Sequence, residues 1–191
     1  RAKQARLEEG SAAVDSSNQA PEEKTFCPQE GAPEEKTFCS QEGAPYDCPQ
    51  ISRRCFPRAS KEDPSAEAFV EEVPGARMVA VDTAGCMLEC VLVEFGQLPQ
   101  DRKRRRVLVH FHGNGELAWQ SAKRWARRFS DAMDVQMCFF VEYRGYAGST
   151  GTPSLCDMQE DLPAALAALK SAIGTSDCDA VDCIVYGRSI G

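Results

Sequence analysis

A serine lies between two glycines near the end of the chain, in the pattern G-x-S-x-G. The segment is Gly187-Arg188-Ser189-Ile190-Gly191, and it follows an apolar run over residues 181–186. Small neighbours allow the sharp turn from strand to helix that lifts a serine hydroxyl clear of a sheet. Such a hydroxyl attacks acyl groups once a base activates it. We therefore predict Ser189 as a nucleophile, with Gly187 and Gly191 permitting the turn; the alternative is a serine in an ordinary glycine turn.

A second glycine-rich segment, residues 110–116 (HFHGNGE), follows the apolar run 107–111. Acyl transfer needs backbone N–H groups aimed at the developing oxyanion. One comes from the residue after the nucleophile, and the other comes from a loop after an earlier strand. The matching positions are Ile190 and Asn114. Gly113 and Gly115 flank Asn114, and Gly115 permits a tight turn.

The chain has two histidines, His110 and His112, and either is a candidate general base. In this arrangement, however, the base follows the nucleophile in chain order. We therefore expect His112 to open the oxyanion loop and His110 to be structural. A third segment, residues 142–151 (EYRGYAGSTG), lacks the phosphate-binding glycine patterns, so we expect a structured loop that packs beside the site.

The elements that must position these residues alternate between strand and helix. Residues 77–82 and 86–95 predict a hairpin, and further strands are predicted over residues 107–111, 135–141 and 181–186. Apolar residues at helical spacing predict helices over residues 116–132 and 154–173. This order predicts an α/β fold with a mostly parallel sheet, helices on both faces, and chemistry at the carboxyl ends of the strands.

The second predicted helix has two special features. Ser154 with Asp157 three positions later forms a candidate capping box at its start. Pro163 lies inside it and predicts a kink or a later helix start, because proline has no N–H to donate.

Residues 1–74 differ in composition from the rest. They hold 15 Asp and Glu against 9 Lys and Arg, while residues 75–191 hold 14 against 13. We predict a disordered acidic tail followed by one domain. Within the tail, the segment APEEKTFC at residues 20–27 returns at residues 32–39, a spacing of 12 residues. The repeat is either a binding motif displayed twice or a tandem duplication in an unconstrained linker, and we favour the duplication.

Charge and cysteine usage restrict the class of protein further. A net charge of −7 argues against a nucleic-acid binder with a basic surface. None of the ten cysteines forms a C-x-x-C pair of the kind that binds zinc or carries out redox chemistry. A chain of this length does not need disulfides for its stability, so we expect reduced thiols and a cytoplasmic location. No apolar run approaches the ~20 residues of a membrane helix. Arg1 in place of an initiating Met indicates a missing start, so a targeting segment can lie upstream.

Three segments together resemble the α/β-hydrolase superfamily, most closely its Bem46-like and serine-aminopeptidase-like branch. They are HGNGE, EYRGY-x-x-S-x-G-x-P-S and YGRSIG, within residues 75–191. The resemblance implies an α/β-hydrolase fold truncated after the nucleophile elbow. It also implies Ser189 as nucleophile, Ile190 and Asn114 as backbone oxyanion donors, and neither a metal nor an organic cofactor. Ala147 departs from the family, which usually has glycine there.

The function implied by this resemblance is that of a serine hydrolase. It would cleave an ester, thioester or amide of a small molecule or an acyl-protein through an acyl-serine intermediate. The family's acid and histidine lie beyond the nucleophile, so we expect the 191-residue chain alone to be inactive. In the family's strand order the run over residues 181–186 is central, and here it would become an exposed apolar edge, so we also expect poor solubility. One alternative is a non-catalytic hydrolase-fold binding or scaffold protein. Another is a membrane-associated thioesterase, anchored through lipidated cysteines such as Cys27 and Cys39.

Overall fold

The structure, a computed structural model, describes residues 54–57, 66–96, 104–174 and 181–191. The chain divides into two units, Arg1–Pro33 and Glu34–Gly191, and every described residue belongs to the second. The tandem repeat and most of the predicted tail lie outside the described residues. The disorder of those segments therefore stays a prediction.

Strands and helices alternate along most of the described part of the chain. In order, the elements are α1 (Glu67–Glu72), β1 (Ala76–Thr83), β2 (Cys86–Glu94), β3 (Arg105–Phe111), α2 (Ala118–Met133), β4 (Met137–Val141), α3 (Leu155–Ala172) and β5 (Val181–Gly187). Within these described ranges, no helix is both long enough and apolar enough to cross a bilayer.

The five strands form one sheet in the order β1-β2-β4-β3-β5. Strand β3 pairs in parallel with β4 and β5, whereas β2 pairs antiparallel with β1 and β4. The α/β fold and the predicted β1–β2 hairpin are confirmed, and the sheet is mixed. The two-residue connection between β1 and β2 can join only antiparallel strands, and β2 also pairs antiparallel with β4.

Helices cover both faces of the sheet, as predicted. On one face, Val107 and Val109 of β3 pack in a cluster with Ala165 and Leu169 of α3. On the other face, Leu108 packs in a cluster with residues of α1 and α2. All five residues of β4 are buried, as expected of a strand covered on both sides.

Helix α1 lies in the segment that the sequence assigned to the tail. Apolar residues at helical spacing stabilise it against the sheet: Ala66, Phe69, Val70 and Val73. Phe69 is 4% exposed, and its ring centroid lies 6.5 Å from that of Trp119 in α2. The folded part of the chain therefore starts before residue 75.

Helix α3 runs to Ala172 without interruption by Pro163, so the predicted later start is wrong. Its apolar residues dock on the sheet, and this packing outweighs the loss of one backbone hydrogen bond. At its start, the Ser154 side chain accepts a hydrogen bond from the Asp157 N–H at 3.0 Å. Half of the predicted capping box is therefore present, while the Asp157 carboxylate lies 3.4 Å from Arg144 Nη1.

The cysteines of the described part are mostly thiols. Five are free, namely Cys55, Cys86, Cys90, Cys138 and Cys183. Cys156 is disulfide-bonded, so the expectation of reduced thiols is wrong at that position.

Candidate active site

Ser189 lies on a strained turn directly after β5. Its φ of 61° is in the left-handed region, which non-glycine residues rarely adopt. Two backbone hydrogen bonds close the turn: Arg188 N–H donates to the Phe111 carbonyl at 3.0 Å, and Gly191 N–H donates to the Arg188 carbonyl at 3.1 Å. Ser189 is exposed. Strain of this kind concentrates at functional sites, and it is what the G-x-S-x-G pattern predicts.

The two glycines of the pattern are required because a side chain at either position would clash with the backbone. A Cβ atom on Gly187 would collide with the Gly191 carbonyl, and one on Gly191 would collide with the Phe111 carbonyl. Neither glycine has a φ in the left-handed region, so a clash rather than backbone conformation excludes larger residues.

The loop after β3 approaches the serine closely. A Cβ atom on Gly113 would lie 3.7 Å from the Ser189 Cβ, in ordinary van der Waals contact. Gly115 has a φ of 139°, which glycine adopts without strain. A cavity of about 230 Å³ opens between loop and turn and is lined by Gly113, Asn114, Gly115, Glu116, Arg188 and Ser189. The structure thus brings together the predicted nucleophile and the loop of one predicted oxyanion donor.

The two predicted oxyanion donors lie in different surroundings. Asn114 lines the cavity, whereas Ile190 is absent from the lining, and its side chain packs in a cluster with Leu117, Tyr143 and Tyr146. Within the described residues, the backbone N–H groups of Asn114 and Ile190 donate to no protein acceptor. Neither N–H group therefore has a protein partner in the described part of the chain, and their catalytic role stays a prediction.

His112 is built into the loop rather than aimed at the serine. It is fully buried, and its Nδ1 lies 2.9 Å from the Gly113 carbonyl oxygen while its Nε2 lies 2.7 Å from Glu142 Oε1. Both ring nitrogens are thus engaged, and neither is left to accept a proton from Ser189.

His110 is structural, as expected. It is 1% exposed and packs among the rings of Phe129, Phe140 and Tyr186, with centroids 5.2 to 5.7 Å away. Burial, with a smaller contribution from the neighbouring His112, lowers the pKa of His110 to about 4. The imidazole is therefore neutral at neutral pH.

Glu142 organises the loop, a role that the sequence analysis missed. This carboxylate follows β4 directly and is 1% exposed. Besides His112, it accepts hydrogen bonds from the Tyr143 N–H at 3.1 Å and, through Oε2, from the Ala118 N–H at 2.8 Å. Ala118 is the first residue of α2, so the negative charge of Glu142, a residue distant in sequence, stabilises the helix N-terminus. The sequence feature that could have indicated this role is a carboxylate directly after a wholly apolar strand.

Tyr143 adds a second link to the same loop. Its hydroxyl donates to the His112 carbonyl at 2.6 Å. Burial is the main cause that raises the pKa of Tyr143, and the nearby Glu142 charge adds to it, so the hydroxyl stays a donor at neutral pH. Residues 142–143 thus pack beside the site, as expected for this segment.

Two charged residues at the rim of the cavity were also missed. Glu116 Oε2 accepts a hydrogen bond from the Gly113 N–H at 3.1 Å, and Oε1 pairs with Arg188 Nη1. Burial alone would raise the pKa of Glu116, but the Gly113 N–H and the Arg188 guanidinium together lower it. Glu116 is therefore ionised at neutral pH and faces the arginine that precedes the predicted nucleophile.

Comparison with known proteins agrees with this fold. No protein-family model matches the chain. The chain is 30% identical over 138 residues to Protein bem46 of Schizosaccharomyces pombe, in an alignment that covers 71% of this chain and 42% of that protein. It thus spans less than half the length of this relative.

A solved structure provides an independent comparison. The α/β hydrolase of Vibrio vulnificus superimposes with a TM-score of 0.51 at 16% identity, over 75% of this chain and 44% of that one. At this identity the likeness supports the fold alone. The chain therefore has an α/β-hydrolase fold and is similar in sequence to Protein bem46, which supports a Bem46-like assignment within the α/β-hydrolase superfamily.

Proposed function

We propose that the full-length protein is a serine hydrolase that cleaves an ester, thioester or amide. The observation that carries this proposal is the environment of Ser189. The residue is exposed, has a strained φ of 61°, and shares a cavity with the loop around Asn114. A strained backbone at an exposed serine, beside backbone N–H groups that have no partner among the described residues, does not stabilise the fold. Acyl transfer, however, needs an exposed hydroxyl next to free N–H donors. Likeness in fold to an α/β hydrolase and in sequence to Protein bem46 supports the same reaction.

In the proposed reaction, the Ser189 hydroxyl attacks the acyl carbonyl carbon and gives its proton to a histidine. The N–H groups of Asn114 and Ile190 stabilise the oxyanion that forms on the carbonyl oxygen. The histidine then protonates the leaving group as the acyl-serine ester forms, and water hydrolyses that ester in a second round. His112 has both ring nitrogens engaged and His110 is buried among aromatic rings. The base is therefore proposed to lie in a part of the protein beyond this chain.

The substrate in this proposal is a small-molecule ester or an acylated protein, and the reaction needs neither a metal nor an organic cofactor. The oxyanion donors and the nucleophile act on the acyl group alone. They do not distinguish these two substrates, which differ in the leaving group.

A fluorophosphonate probe tests the proposal, because it labels serines that a base has activated. We expect the full-length protein to be labelled and the Ser189→Ala variant to be unlabelled. Ser171→Ala, at an exposed serine of α3, is the matched control and should label like the wild type. The 191-residue chain alone should not label, because it carries no histidine free to act as base. Absence of labelling in a folded full-length protein would contradict the proposal and favour a non-catalytic binding protein.

A further inference from the structure

The Glu116–Arg188 pair joins the two segments that border the cavity. The residues are 72 positions apart in the chain, yet Arg188 Nη1 donates to Glu116 Oε1. The other carboxylate oxygen, Oε2, accepts the Gly113 N–H at 3.1 Å within the same loop. One carboxylate therefore holds the backbone of the oxyanion loop and the side chain that precedes Ser189.

This pair lies at the rim and not in the core. The side chain of Glu116 is 26% exposed and that of Arg188 is 52% exposed. Ion pairs this accessible to solvent contribute little to the free energy of unfolding. Their main consequence is the relative position of the groups that they join.

The hydrogen bond to Glu116 also determines which N–H of the loop is available. The Gly113 N–H is occupied by the carboxylate, whereas the Asn114 N–H has no acceptor among the described residues. The loop also folds back on itself, because the Glu116 N–H donates to the Gly113 carbonyl at 3.1 Å. Glu116 thus fixes the turn that leaves Asn114 free beside the cavity.

We propose that Glu116 and Arg188 are positioning residues, which form a bridge between the loop that carries Asn114 and the turn that carries Ser189. The catalytic consequence rests on the proposed function, since the bridge would set the distance between nucleophile and oxyanion donor. Errors of about 1 Å in such a distance can slow a reaction roughly a hundredfold.

A role of Arg188 in direct contact with substrate gives different expectations. In that case the loss of Arg188 would raise KM, and the loss of Glu116 would have little effect. A bridge instead predicts that either loss lowers kcat with little change in KM, because the oxyanion donor acts mainly in the transition state.

Hydrogen exchange tests the bridge without reference to activity. In the full-length protein, amide exchange over residues 112–116 is compared between the wild type, Arg188→Gln and Arg188→Lys. The bridge predicts faster exchange in Arg188→Gln, although the substitution lies in the other segment, and near wild-type exchange in Arg188→Lys, which keeps the charge. Unchanged exchange over residues 112–116 in Arg188→Gln would overturn the bridge.

The rates of fluorophosphonate labelling and of p-nitrophenyl acetate hydrolysis test its catalytic consequence. We expect Glu116→Ala and Arg188→Gln to lower kcat about ten- to a hundredfold, with KM changed less than about threefold. Arg188→Lys should recover most of the loss. Glu94→Gln is the matched control, because Glu94 and its partner Arg77 form another partly exposed ion pair that lies away from the cavity. Their side chains are 38% and 41% exposed, compared with 26% and 52% for Glu116 and Arg188.

The two measurements separate failure of this inference from failure of the proposed function. Wild-type kcat in both Glu116→Ala and Arg188→Gln overturns the catalytic consequence while Ser189 still labels. An unlabelled wild type overturns the proposed function and that consequence together, and hydrogen exchange then still decides whether the bridge exists.

Discussion

At the scale of single residues, backbone strain distinguishes Ser189, the proposed nucleophile, from an ordinary serine. Its φ of 61° is unfavourable for any residue with a Cβ atom, and glycine adopts it freely. The sequence has serine there although glycine would be more stable. Ala147, where the family usually has glycine, is in the same region with a φ of 47°.

Two substitutions at Ser189 measure this strain without interference from chemistry, because both remove the hydroxyl. We expect Ser189→Gly to be more stable to denaturant than Ser189→Ala by about 1 kcal/mol, since only glycine relieves the strain. The same pair at Ser171, within α3, should give the opposite sign, because glycine weakens a helix relative to alanine. Equal unfolding midpoints for the two Ser189 variants would show that the turn is not strained.

At the scale of elements, periodicity along the chain predicted the strands and longer helices, because each needs an apolar face toward the core. The motifs predicted Ser189 beside the loop of Asn114, since both segments follow strands whose carboxyl ends meet at one edge. Helix α1 was missed because six residues give too few turns for a clear pattern. The antiparallel pairing of β2 with β4 depends on contacts between distant segments, which local spacing does not encode.

The links made by Glu142 could not be predicted for the same reason. Its partners Ala118 and His112 are 24 and 30 positions away. Which of the chain's carboxylates meets them is decided by how β3, β4 and α2 pack together. The sequence alone shows only that a polar residue follows an apolar strand.

Glu142→Gln tests whether this carboxylate stabilises the packing of these elements. In glutamine, an NH₂ donor replaces one of the two carboxylate oxygens. That donor must face either the Ala118 N–H or the Tyr143 N–H, which are themselves donors, so a buried hydrogen bond is lost. We expect a loss of about 1–3 kcal/mol in the free energy of unfolding, measured in denaturant. Glu160→Gln makes the same change at an exposed position of α3 and should stay within about 0.5 kcal/mol of the wild type. A wild-type midpoint for Glu142→Gln would show that the carboxylate does not stabilise this packing.

At the scale of the whole molecule, the sheet ends in an apolar strand that the described residues do not cover. Strand β5 pairs only with β3 in the observed order. Val185 is 61% exposed and Tyr186 is 39% exposed, although the sequence of β5 predicts a buried strand. An apolar edge with unpaired backbone groups is a template for association with other chains.

This edge predicts that the 191-residue chain alone self-associates through β5. The average mass measured by light scattering should rise with concentration for the unsubstituted chain. It should rise less for Val185→Lys, because a charged side chain opposes pairing at a strand edge. Met87→Lys changes the charge equally at another exposed apolar residue, 40% exposed, but on β2, which is paired on both sides. It should therefore leave the association largely unchanged. An equal effect of the two substitutions would mean that net charge controls solubility and that the exposed edge of β5 does not.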